Sequence, residues 1–253
     1  MSDESVEPAC VQLFKDKVLK EYLPEILDSI KKIPAARSAC KALLSLLAII
    51  RTPWYMQRIR KEMPEISKTD MQKLCSSPFF TTWMTVLCPS ADHLYGSFML
   101  GCLPLCYHSI RVILEAMAIS YYVEYTNYLE HEDPISRLVK FNEELRQKSL
   151  SKFLKEDFSQ VIGEEIGERA ARLWFKISND FMHFGGFVRK LHSWNISESE
   201  LPPPSWAIGA FIPYDVSDED QLKELEKCLT ELQKVYDNIL ERWMKECAPR
   251  YFI

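Results

Sequence analysis

The chain has 253 residues, 47% hydrophobic and 26% charged, with a formal net charge of −5. Seven glycines are few against the usual share of roughly 7%, which argues against turn-rich β architectures and glycine-rich phosphate loops. The acidic balance supplies no global field that would draw the chain to nucleic acid or anionic lipid, so such binding would need a local basic patch.

Met1-Ser2-Asp3-Glu4 lacks the cationic and then apolar run of a secretory signal. The eight scattered cysteines are accordingly expected as reduced thiols packed as small hydrophobes, in a cytoplasmic protein. No segment predicts a membrane span: Ala42–Ile50 is far shorter than the ~20 residues needed. Phe98–Ser120 is interrupted by Pro104, His108, Arg111 and Glu115, and both stretches are expected as core helices.

In chain order, Val11 to Ile30 and Ala35 to Ile50 have helical periodicity, and Trp54 to Lys61 follows Pro53 as a third helix. The run Arg51 to Lys61 interleaves cations with Trp54 and Tyr55, a pattern that suits RNA or a membrane surface but also a solvated helix face. Pro78 to Pro89 is aromatic and β-branched, and is expected as a short strand or a buried loop. From about Cys106 to Leu129, Ile110, Ile113, Leu114, Met117, Tyr121, Tyr125 and Tyr128 recur at helical spacing, and the opposite side is hardly more polar. That pattern belongs in the middle of a bundle. Asp133-Pro134 ends this helix, and a charged surface helix is predicted over Ile135 to Phe153.

Glu164 to Phe184 predicts a helix whose stripe is Ile166, Ala170, Leu173, Trp174, Ile177, Phe181 and Phe184. Gly185-Gly186 stand at its cap. Glu165 and Arg169, like Glu168 and Arg172, have the i,i+4 spacing of favourable ion pairs. The three prolines after Leu201 predict an extended conformation. The last helix, about Asp218 to Glu246, carries the stripe Leu222, Leu225, Leu229, Leu232, Tyr236, Ile239 and Trp243, with Ser217 expected to cap it. These elements predict an all-α fold, an antiparallel helical bundle with extra N-terminal helices. It is expected as a single helical domain over residues 1–253, divided into an N-terminal extension at 1–95 and a core bundle at 96–253.

The common nucleotide, zinc-protease and hydrolase motifs are missing, and so is the paired Glu-x-x-His of a di-iron bundle. Cys102, Cys106 and His108, with Cys88 and His93 upstream, have metal-ligand residue types but no tetrahedral spacing. They predict no metal site, and no cofactor is expected. Arg111 and Glu115 stand one turn apart in an apolar helix, where each charge needs a partner. They read either as an ion pair that fixes packing or as the floor of a polar pocket. Arg172, Lys176, Asn179 and His183 step by four, three and four along the next long helix, and so share one face. His183 has the chemistry of a general acid or base and Lys176 that of a phosphate partner. A solvated helix side gives the same pattern.

The stretches Ile110–Tyr125 and Leu173–Phe184 together resemble the HEPN-like helical bundles of prokaryotes. Active members of that superfamily are metal-independent RNases with an Arg-x(4–6)-His motif, often completed across two subunits. The resemblance implies that Lys176, Asn179 and His183 would be catalytic, and that the chain would form a homodimer or meet a protein partner, with RNA as the alternative; Arg111, Glu115 and Arg172 are expected as binding residues from their places on the two helices. The chain departs from the pattern because Lys176 stands where arginine is expected, which loses the bidentate phosphate grip. A non-catalytic or divergent member acting by interaction is therefore the leading expectation, ahead of an RNase or of a small-ligand or metal-binding bundle.

Overall fold

The computed structural model describes residues 20–21, 23–51, 72–182 and 213–251. Every regular element among them is helical, in keeping with an all-α bundle. Helix α1 (Leu23–Lys32) turns at Ile33 into α2 (Pro34–Arg51). After the described stretch resumes come α3 (Pro78–Thr82), a π turn over Trp83–Leu87, α4 (Cys88–Met99) and α5 (Leu103–Tyr125). Then follow α6 (Pro134–Leu145), α7 (Leu150–Phe153), a π turn over Leu154–Phe158 and α8 (Ser159–Ile162). Helix α9 (Glu164–Ile177) continues into a π turn over Ser178–Met182. Finally α10 (Glu219–Arg242) runs on through a π turn over Trp243–Cys247 and a 3-10 turn over Ala248–Tyr251.

Periodicity placed the long helices correctly because burial follows it. The whole predicted stripe of α10, from Leu222 to Trp243, is removed from solvent, as are Ile110, Ile113, Leu114, Met117 and Tyr121 of α5. Helix α2 lies along α10 and α4 along α5, and a single apolar core joins all four. An aromatic cluster of Tyr122, Phe141, Phe153 and Phe158 closes the other side of α5. Edge-on ring pairs of this kind are favoured by the quadrupole of the π system.

Four local expectations are corrected. Pro78 to Pro89 is neither strand nor loop but helix, from α3 into α4. Pro78 occupies the first turn, where its missing N–H costs nothing, and the Ser77 hydroxyl accepts from the Phe80 amide as an N-cap. Phe98–Ser120 is not one helix. The chain breaks after Met99, and Gly101 takes φ +70, a left-handed turn that a side chain resists. The α10 entry is capped not by Ser217 but by Asp215, which forms a capping box with Asp218 around a 3-10 turn at Val216–Asp218. The charged surface helix predicted over Ile135 to Phe153 is also shorter, since α6 stops at Leu145 and the chain restarts at Leu150.

Helices α8 and α9 meet closely at Gly167, where an added Cβ would stand 2.6 Å from the Ser159 Cα. That proximity sets the height of α9, and so the placement of Trp174 against α5. No single described helix is long and apolar enough to cross a membrane.

Candidate functional site

Helices α5 and α9 do face each other, and they meet through Glu115. Its Oε1 accepts from Arg111 Nε at 2.6 Å and from the Trp174 indole Nε1 at 2.6 Å. The Arg111 guanidinium also lies over the Trp174 ring, 5.3 Å from its centroid. One carboxylate oxygen thus binds a cation from its own helix and an indole from the next, while the cation covers the same indole. The centre is half-buried, with the two charged side chains 27% and 26% exposed. A pair screened this far by water contributes little by itself, and the indole hydrogen bond and stacking fix its geometry.

Lys176 turns the other way. Its ammonium pairs with Glu224 on α10, and Arg169 on the same side pairs with Glu231. Burial pulls the lysine pKa down, but the hydrogen bond and charge of Glu224 hold it above its ordinary value. Lys176 therefore stays protonated, a fastener between α9 and α10 and not a base. Arg172 is exposed beside Glu168 at 3.9 Å, and Asn179 is half-buried on the π turn. His183 and the basic run Thr52 to Lys61 lie outside the described residues, as do Gly185-Gly186 and the three prolines.

The predicted ligand types do not gather either. Among the described residues, no three His, Cys, Asp or Glu side chains stand close enough to hold a metal ion. Cys106 is fully buried, its thiol pushed well above its usual range by burial, and its one S–H has the carbonyls of Leu94 and Cys102 as acceptors within reach. His93 lies 2.8 Å from Ser109, whose hydroxyl is already given to the Leu105 carbonyl, so the serine is not activated as a nucleophile.

Two shallow clefts follow the α9–α10 seam. One, of about 400 Å³, opens at the start of α9 between Arg169, Lys234 and Arg242. The other, of about 220 Å³, is lined by Arg172, Lys176 and Lys227. Their cations are largely engaged: Arg169 and Lys234 with Glu231, Lys176 with Glu224, and Arg242 with the Val161 carbonyl.

The most enclosed charged group among the described residues carries no motif in the sequence. Glu124, near the end of α5, is 1% exposed. The Ser77 hydroxyl and the Phe79 amide (2.9 Å) donate to its Oε2, and the Trp243 indole (2.7 Å) donates to its Oε1. The Tyr251 hydroxyl joins the same carboxyl. Burial pushes the Glu124 pKa up, and these donors offset only part of the rise. Beside it, the buried Arg137 guanidinium donates to the carbonyls of Tyr128 (2.7 Å) and Val123 (3.1 Å), closing the α5 terminus where backbone acceptors lack helical partners. The signal in the sequence was a lone acid among Tyr121, Tyr122, Val123 and Tyr125. A charge in such a run needs buried donors.

No family model, curated protein or solved structure matches this chain.

Proposed function

We propose that this chain is a non-catalytic, HEPN-like helical module that acts by binding protein, a second copy of itself or another chain, in the cytoplasm. One observation carries the reading: Lys176, the residue standing at the basic position of the resembled motif, is held by Glu224 and serves to join α9 to α10. A phosphate would have to displace that carboxylate, and lysine offers no bidentate grip in exchange. Arg111 is engaged in the same manner by Glu115 and Trp174. In this reading the polar residues of the two long helices fix the shape that a partner recognises.

The test sets catalysis against association. Purified protein is incubated with single-stranded RNA beside His183→Ala and Lys176→Ala variants, and its mass is followed by sedimentation across a range of concentrations. The expected result is no histidine-dependent cleavage and a concentration-dependent dimer. RNA cleavage lost in His183→Ala would overturn the proposal in favour of a metal-independent RNase.

A further inference from the structure

The carboxyl of Glu124 connects two parts of the chain that are otherwise remote in sequence. One is the turn at Ser77–Phe80, which opens α3. The other is the C-terminal segment Trp243–Tyr251, where α10 gives way to a π turn and then a 3-10 turn. The polar contacts of that segment concentrate on the end of α5. Trp243 and Tyr251 bind the Glu124 carboxyl, and Arg250 reaches the Glu124 carbonyl (3.4 Å) and the Asn127 side chain (2.8 Å). The opposite oxygen of the same carboxyl holds Ser77 and the Phe79 amide, and Ser77 in turn holds the Phe80 amide. The Tyr251 hydroxyl also lies beside Ser77, so the two segments touch as well as sharing an acceptor. Phe79 stacks on Trp243 with ring centroids 5.3 Å apart.

We infer that Glu124 makes the Ser77–Phe80 turn and the Trp243–Tyr251 segment one conformational unit, so that loosening either releases the other while the α8–α9 side of the bundle stays closed. The reason is the position of the carboxyl in the interior. In a dry site each donor holds the acid in place for the others, and a network of this kind is worth more than its separate bonds. Removing one donor leaves the acid less compensated and free to turn. The remaining donors then lack a fixed acceptor. The two segments open together because neither can keep the carboxyl alone. This inference concerns motion in the fold and stands independently of the proposed binding function.

Amide hydrogen exchange reads the coupling directly, because the Phe79 and Phe80 amides and the Trp243 indole are themselves donors in the network. In Tyr251→Phe, exchange at Phe79 and Phe80 is expected to rise about tenfold or more, the size that follows from losing a hydrogen bond to a charged acceptor. Leu173 and Ile177 in α9 are expected to keep wild-type rates. Ser77→Ala is expected to raise exchange at Arg250 and Tyr251 in return, since coupling between two sites is reciprocal. An increase confined to the altered segment in either variant overturns the inference, and so does an equal rise in α9. Arg250→Ala guards against a variant that fails to fold, because the arginine is exposed and holds the C-terminal segment from outside. It is expected to accelerate Phe79 and Phe80 by a smaller factor, and wild-type rates there would also overturn the inference.

Discussion

Helix α5 carries two acids that solve the same problem in opposite surroundings. Glu115 sits half in water, bound to a cation one turn away and an indole from α9. Glu124 sits in the interior, bound by hydroxyl, amide and indole donors from the two ends of the described chain after residue 72. Water screens the first, so its loss is cushioned. Nothing but protein compensates the second, so every missing donor is felt. Burial, and not charge, decides which acid the fold depends on.

The largest expected effect follows from deleting the interior acid. Glu124→Ala strands the Ser77 hydroxyl, the Phe79 amide and the Trp243 indole together, and should lower the free energy of unfolding by about 3–5 kcal/mol. Urea titration measures it, and a loss below ~1 kcal/mol would show that water or neighbouring groups take over the acceptor's place.

The same residue sets a pH dependence. Its folded pKa stands above its unfolded value, so the stability it contributes is fully present below the unfolded pKa and is lost as the pH rises through the folded one. Wild type minus Glu124→Gln, followed by thermal melts, should therefore shift in favour of the wild type as the pH falls from 7 towards about 4, into the ordinary glutamate range. A flat difference would mean that the donors cancel the cost of burial outright.

A smaller effect, of opposite sign, is expected one turn before Glu124. The Tyr121 hydroxyl is buried and finds no hydrogen-bond partner among the described residues. Tyr121→Phe should raise stability by roughly 1 kcal/mol, since an unsatisfied polar atom is removed without loss of ring packing. A destabilised variant would reveal a partner for that hydroxyl.

The least effect belongs to the half-exposed acid. Glu115→Gln keeps an oxygen for the Trp174 indole and loses only the ion pair, a cost of about 1 kcal/mol or less that shrinks with added salt. A cost as large as that of Glu124→Ala would erase the distinction between the two sites.

The long helices were legible because an apolar stripe is a property of neighbours three and four apart. The i,i+4 pairs were legible for the same reason, and both Glu165–Arg169 and Arg111–Glu115 form. What escaped depended on distant partners. Lys176 took its meaning from Glu224, and Glu124 from Ser77 and Trp243, and no local pattern joins such residues. Pro78 to Pro89 is helical although its aromatic and β-branched residues have strand propensity, because its start is set by an N-cap and a proline and one of its faces packs on α5. Tertiary context overrode propensity there.

The π turns carry a consequence for how this sequence tolerates change. Each of those at Trp83–Leu87, Leu154–Phe158, Ser178–Met182 and Trp243–Cys247 is a single widened turn continuous with a helix on at least one side. A widened turn is a place where the chain already stores a surplus residue. Shortening the chain by one position there converts the turn to ordinary α geometry and leaves the helices on either side nearly in register. The same deletion in the middle of α5 or α10 would rotate everything beyond it by about 100°, carrying the apolar stripe out of the core. Loss of a single codon should therefore be survivable at these turns and ruinous between them.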